Sequence, residues 1–543
     1  MIRLCLAISI VLFTSPVAIS AAQESAASID RAQLETFEAS AKAWVDFLLR
    51  AQVRGALPVQ ATVDSDTGDV VPFTDVVNDD SASDLGKPFI WAYRIWGDPR
   101  YLDGAKALAD FYIDAQFPEG GWTYGYTLQP DGGVAPVTEI ANFEEWVQSN
   151  GLRHLAAVYH LTGEEKYKDA AVKAGEVILR AQDHSGWWPW GAQVGDEDRR
   201  PDYLKGPTLN DWNLNACIGD CLVLFDLTGD RRYLDAVRKA GEWIISAQIE
   251  GPTPGWAAQY DTSNVPRWAR YMEPPAADLV FGTYGAGSAL LMLYDMTGDD
   301  RYLAPLRPHL AWLQSIPEPQ KGWMWYAYRN WTTEENVGKV SDYTQELTAR
   351  FGGTLPPDEA LQGIAIEAGE PIIAYHYQMV PVDHPEMDHY LTPLNGHYGS
   401  RSENAESWLQ EEMAKRADGP IVPGWNGDVP ASNRAAARPT KEACAAAYDP
   451  VTAAQLAAEF EQWRAGEAES TLVEEDGESR KVHVGRGCAR AIQLLRQIAL
   501  ARAGLGETPP GVIPAINPSY YFGDFALVHP ERDWYAIGLR AAE

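Results

Sequence analysis

Basic residues and cysteines are scarce in this chain. Only 44 Lys and Arg face 76 Asp and Glu, a formal charge of −32 at pH 7. Phosphate binding needs a positive surface, so no nucleic-acid partner is expected. Past the N-terminal stretch, cysteine is limited to Cys217, Cys221, Cys444 and Cys488, which excludes a disulfide scaffold at this length. Cys444 and Cys488 could pair in an oxidising compartment. Cys217 and Cys221, four apart in a helical pattern, read as small buried residues. Long apolar runs are also missing. After residue 22 no stretch could span a bilayer, so no membrane insertion is expected. The N-terminus has Arg3, an apolar run from Leu4 to Val17, and Ser20, Ala21 and Ala22 before Gln23. That pattern is an export signal over 1–22, too short to be a comfortable membrane span, and implies a secreted or periplasmic protein.

What is present is a repeat. Helical patterns end in Gln at Gln52, Gln116, Gln182, Gln248 and Gln314, spaced 64, 66, 66 and 66. A Gly-Asp/Glu-x-x-Tyr turn begins the preceding helix at Gly97, Gly163, Gly229 and Gly298. A Gly-Trp step follows at Trp122, Trp187, Trp256 and Trp323. Three markers in phase over four units define a helix pair as the building block. The segment Tyr233 to Gln248 spaces its apolar residues by three and four, as an amphipathic helix does. Trp212 to Gly229 and Ala277 to Gly298 are apolar nearly all round and must be covered on most sides. Glycine after Thr162, Thr228 and Thr297 suits a helix C-terminus.

Alternating outer and inner helices predict an all-α fold, an (α/α) toroid or incomplete barrel. We expect one domain over 23–543, with repeats over about 40–331, irregular loops over 332–402, and closing helices and a tail over 403–543. Helices are expected at 403–417, 452–466 and 490–504. The segments 418–439 and 467–481 read as exposed loops. Short turns close one end of the ring, so every long Gly-Trp loop must emerge at the other. A cleft is expected at that mouth.

The mouth segments are rich in aromatic, carboxylate and guanidinium side chains. Asp79, Asp80, Glu144, Glu145, Asn210, Asp211 and Asn213 precede inner helices. Trp122, Trp188, Trp190, Gln259, Tyr260, Asp261, Arg267, Trp268, Arg270, Trp325 and Arg329 follow outer ones. Tryptophan faces stack on sugar rings, carboxylates bind hydroxyls or a hard cation such as Ca²⁺, and arginine clamps a sugar carboxylate. These types together point to a glycan. Packing is the other reading for Trp122, Trp187, Trp256 and Trp323, and N-capping for each Asp or Asn cluster. Trp188, Trp190, Trp268, Trp325, Tyr260 and Arg270 exceed what the repeat needs. Four of the ten histidines, His376, His384, His389 and His397, fall within 376–397.

The segment Val77 to Trp122, VNDDSASD followed by GDPRYLDGAKALADFYIDAQFPEGGW, resembles the pectate lyases of polysaccharide lyase family 10. So does WAAQYDTSNVPRWARYMEPP, Trp256 to Pro275, with its Gln-Tyr-Asp and Ala-Arg steps. The resemblance implies β-elimination on an anionic, uronate-containing polysaccharide, assisted by Ca²⁺ at Asp79, Asp80 and Glu145. It makes Arg270 and Arg329 catalytic. The family's later Gly-Asp-Arg-Asp step is absent, which leaves Tyr260, His376 and His397 as further candidates for acid and base. Trp122, Trp188, Trp190, Gln259, Asp261, Arg267, Asn213, Trp325 and Arg401 make up the expected substrate-binding set. Two rival readings stand beside it: a glycoside hydrolase using Asp80, Glu145 and Asp211 as paired carboxylates, and a non-catalytic glycan-binding protein.

Overall fold

Four glycines set the geometry of the helix pairs. In the computed structural model, Gly97, Gly163, Gly229 and Gly298 have φ of 70, 70, 71 and 69°. Each amide donates to the carbonyl four residues back, at 2.7 Å. This left-handed step stops an inner helix. The next residue starts the outer one: Asp98, Asp230 and Asp299 accept the amides of Arg100, Arg232 and Arg301. The tyrosines that follow, Tyr101, Tyr167, Tyr233 and Tyr302, are all buried.

The described residues are 29–64, 69–195, 197–251, 254–267, 276–316, 325–327, 397–424, 427–433, 440–465, 472–475 and 479–507. The expected export signal lies outside them. After α1 (Arg31–Ala51) come four pairs: α2 (Lys87–Trp96) with α3 (Pro99–Ala115), α4 (Val147–Thr162) with α5 (Glu165–Ala181), α6 (Asn213–Thr228) with α7 (Arg231–Ser246), and α8 (Gly287–Thr297) with α9 (Leu306–Ser315). Inner helices pack on inner ones, α2 on α4 and α4 on α6. Outer helices pack likewise, α3 on α5 and α5 on α7. The sequence therefore forms an all-α, α/α-toroid architecture. In α7 the buried residues Tyr233, Leu234, Val237, Ala240, Gly241 and Ile244 form one stripe, whereas nearly all of α6 is buried.

The repeated Gln, Gly and Trp residues join one unit to the next. Gln52, Gln116, Gln182 and Gln248 donate through Nε2 to the carbonyls of Gly104, Ala170, Ala236 and Pro305, at 2.9, 2.8, 2.8 and 2.7 Å. Gly55, Gly120 and Gly186 have φ of 81, 104 and 109°. A Cβ there would lie 2.2, 2.3 and 2.1 Å from the carbonyl oxygens of Ala107, Lys173 and Lys239 on the next outer helix. Only glycine permits that approach.

After the repeats come α10 (His397–Lys415), α11 (Lys441–Ala447), α12 (Pro450–Ala465) and α13 (Val484–Leu505). Helix α13 packs on α1 and α2. Arg416 grips the buried Asp295 of α8 through Nε and Nη2, at 3.0 and 2.6 Å. Two expectations are corrected. The segments read as loops contain strands: Ile421–Gly424 pairs with Gly427–Pro430, and Ser479–His483 pairs with both Leu472–Glu475 and Gln60–Asp64. Their partners include a segment some 400 residues away, which local pattern cannot reveal. Cys444 and Cys488 are free and buried, as are Cys217 and Cys221. No helix among the described residues is long and apolar enough to cross a membrane.

Candidate active site at the mouth

Two residue pairs immediately before inner helices have left-handed backbones without glycine. Glu145 and Trp146 have φ of 50 and 61°, and Asp211 and Trp212 have φ of 48 and 61°. They precede α4 and α6 and stand 66 residues apart, one repeat. Such conformations cost about 1–3 kcal/mol each and concentrate where function demands them. The Glu145 amide donates to the Asp211 carbonyl at 2.9 Å, which sets the two pairs side by side. One repeat before Glu145 stands Asp79, the cap of the turn Asp80–Ala82, whose Oδ1 accepts the Ser81 amide at 2.9 Å.

The acidic groups of three units thus meet. Glu144 is fully buried. Its Oε1 accepts from the Tyr124 hydroxyl and from Asn142 Nδ2, and its Oε2 from the Phe143 amide at 3.1 Å. Burial pushes its carboxyl up to about 7, against the opposing pull of those hydrogen bonds. Burial, and then the neighbouring Asp211, Asp80, Asp79 and Glu144, hold the Glu145 carboxyl well above the usual carboxylate range. Asn210 Nδ2 donates to Asp211 Oδ2 at 2.6 Å. A carboxyl raised above its usual range by burial and by like-charged neighbours is the arrangement from which a general acid is built.

Several expected binding residues are instead packing residues. Trp122, Trp188 and Trp190 are 0, 0 and 2% exposed and offer no face to a sugar. The indoles of Trp122, Trp188 and Trp256 donate to the carbonyls of Tyr112, Ile178 and Ile244, at 2.8, 2.8 and 2.7 Å. Trp188, not Trp187, therefore holds the repeated position. Tyr260 is buried and its hydroxyl accepts the Ala257 amide, as Tyr126 accepts that of Thr123. Asn213 and Gln259 are also fully buried, donating to the Pro189 carbonyl and to Thr208 Oγ1. Asp261 caps its own turn through the Ser263 and Val265 amides. Arg267 is half-buried, its guanidinium close against Gly206.

Of the expected metal set, Asp79 is a turn cap, Asp80 is exposed and Glu145 lies at the centre of the cluster. Among the described residues, no group of three or more His, Cys, Asp or Glu is disposed to hold a metal ion. Trp325 lies in a strand pairing with Ala276–Asp278, opposite Asp278. His397 and Arg401 fall in α10, their side chains outside the description. Arg270, Arg329 and His376 lie outside the described residues. Sequence reasoning gave Asp211 only to the hydrolase reading and did not single out Trp146. The spacing of Asp79, Glu145 and Asp211 at one repeat was the available signal.

No known protein family's sequence profile matches this chain, and no curated protein matches it. Solved structures give distant likenesses. A family 10 polysaccharide lyase from Cellvibrio cellulosa is 22% identical, with 39% of this chain and 69% of that one covered and a TM-score of 0.32. A sugar epimerase from a ruminal bacterium is 12% identical, over 70% of this chain and 98% of that one, at a TM-score of 0.38. A GH76 α-mannanase from Bacteroides thetaiotaomicron is 11% identical, over 70% and 96%, at 0.33.

Proposed function

We propose that this protein cleaves an acidic polysaccharide by β-elimination at the mouth of the ring, with Glu145 as the acid. The observation that supports this reading is the backbone hydrogen bond of 2.9 Å that sets Glu145 beside Asp211, where burial and the neighbouring carboxylates raise the Glu145 carboxyl. Asp211 takes the proton from C5 of a uronate. The electron pair forms the C4–C5 double bond, the C4–O4 bond breaks, and O4 takes the proton of Glu145. Asn210 orients Asp211, and Tyr124 with Asn142 fixes Glu144 behind it. The expected roles of Arg270 and Arg329 as carboxylate clamps remain part of the proposal.

Incubation with polygalacturonate, alginate, glucuronan and ulvan tests it. Growth of ultraviolet absorbance from the new double bond on one polymer is expected, and its loss in Glu145→Gln. No absorbance on any acidic polymer would sink the reading. Hydrolysis is the second reading, favoured by the same pair of carboxylates, with Asp211 activating water. It releases reducing ends without absorbance.

Calcium is a separate proposal, and no step is routed through it. Asp79 spends one oxygen on Ser81, so the three expected ligands do not form a ready set. A rise in melting temperature on adding Ca²⁺, absent in Glu145→Gln, would support it. No shift would remove it.

A further inference from the structure

About two turns into α4, facing α6, lies a buried cation with donor capacity to spare. Arg153 is 7% exposed. Its Nε donates to Asp220 Oδ1 at 2.9 Å, and Asp220 Oδ2 accepts from Ser149 Oγ at 2.9 Å. The carboxylate that neutralises Arg153 is thus held on one side. Arg153 Nη2 has no hydrogen-bond partner among the described residues. A buried guanidinium donor without an acceptor is costly, and the cost is relieved if an acceptor arrives.

The surroundings suit one kind of acceptor. A cavity of about 20 Å³ lies here, lined by Ser83, Lys87, Trp146, Asn150 and Arg153. It has room for a group the size of a water molecule, not for a sugar ring. The guanidinium stands 5.2 Å from the centre of the Trp146 ring, a cation–aromatic contact that fixes its orientation. Lys87 adds a second cation, tied to Asp84 at 2.9 Å. His154 also borders the cavity, and burial pushes its imidazole down to about 4, so it is uncharged at neutral pH. The cavity adjoins the acidic cluster: Trp146 follows Glu145 directly, and Asn150 Nδ2 donates to the Asp79 carbonyl at 2.9 Å.

We infer that this cavity is the carboxylate subsite for the acidic polysaccharide, with Arg153 Nη2 donating to a uronate oxygen while Trp146 lies against the sugar. The inference rests on the function proposed above and adds the group that recognises the substrate's charge. An arginine–carboxylate bond supplies both strength and direction. The bond also stabilises the charge that builds up on the carboxylate as the C5 proton leaves.

The test uses the full chain, and compares each acidic polymer with its carboxyl-reduced counterpart by calorimetry. Wild type is expected to favour the charged polymer. Arg153→Gln should weaken binding of the charged polymer at least tenfold and change that of the reduced one less than twofold. Arg153→Lys should recover part of the loss. Arg153→Gln leaves Asp220 buried and unpaired, so Arg153→Gln with Asp220→Asn is the variant for a fold that fails. Ser83→Phe, which fills the cavity without touching the ion pair, should lower the same discrimination. Charge discrimination unchanged in folded Arg153→Gln and Ser83→Phe would overturn the inference alone. Equal weakening on charged and reduced polymers would overturn it too. A wild type that binds no acidic polymer would overturn the proposed function and this inference together.

Discussion

Glu145 and Asp211 are joined by one backbone hydrogen bond of 2.9 Å across a full repeat, and both have left-handed φ. Two strained backbones side by side bring together two carboxyl groups that repel when both are ionised. If that juxtaposition serves catalysis, replacing either carboxyl by its amide should keep or raise the stability of the fold while destroying the activity. Glu145→Gln and Asp211→Asn are each expected to lower turnover about 10²-fold or more, the usual scale of a lost acid or base. Melting temperature should hold or rise. A variant that melts early in step with its loss of activity would make these residues structural.

Glu144 gives the fold a pH dependence of definite sign. In an unfolded chain a glutamate titrates at about 4.3, whereas burial raises Glu144 to about 7. Between those values the folded state binds more protons than the unfolded one, so stability falls as pH rises and levels off above about 7. The change is on the order of 4 kcal/mol, from about 1.4 kcal/mol per pKa unit. Denaturant titrations from pH 5 to 8 should show this decline, and Glu144→Gln should flatten it. An equal slope in both proteins would rule Glu144 out as its source.

Trp188 separates packing from substrate stacking. Its indole donates to Ile178 from a fully buried position. Trp188→Phe is expected to cost about 1 kcal/mol, the net value of a neutral hydrogen bond, with some addition for lost packing. KM should be unchanged. A KM raised several-fold at unchanged stability would return Trp188 to the binding surface.

Gly186 should tolerate nothing larger. An alanine Cβ would sit 2.1 Å from the Lys239 carbonyl oxygen, at a backbone φ of 109°. Gly186→Ala is expected to destabilise by about 3 kcal/mol or more, in the range of the largest single-site effects. Gly97→Ala has nothing within 4 Å of its added Cβ and carries only the left-handed penalty of about 1–2 kcal/mol. Comparable melting temperatures for the two variants would contradict this account of the repeat.

The sequence by itself determined the architecture. The Gly-Asp-x-x-Tyr turns, the Gln residues and the amphipathic period recur at fixed spacing, and each acts through contacts with the adjoining helix or unit. A repeat makes distant contacts predictable because every unit solves the same packing problem. It could also have aligned Asp79, Glu145 and Asp211. What tertiary structure alone decided is which member of a similar set faces inward. Trp188 rather than Trp187 fills the repeated pocket: its indole makes the carbonyl bond that Trp122 and Trp256 make in their units. Tyr260 and Gln259 look like site residues in sequence, but both are buried, the Tyr260 hydroxyl accepting the Ala257 amide of its own loop and Gln259 Nε2 donating to Thr208. The strand Ser479–His483 depends on Gln60–Asp64, and the charge of Arg153 on Asp220 of the next inner helix. Those are pairings between segments far apart in the chain, and hydrophobic period carries no information about them.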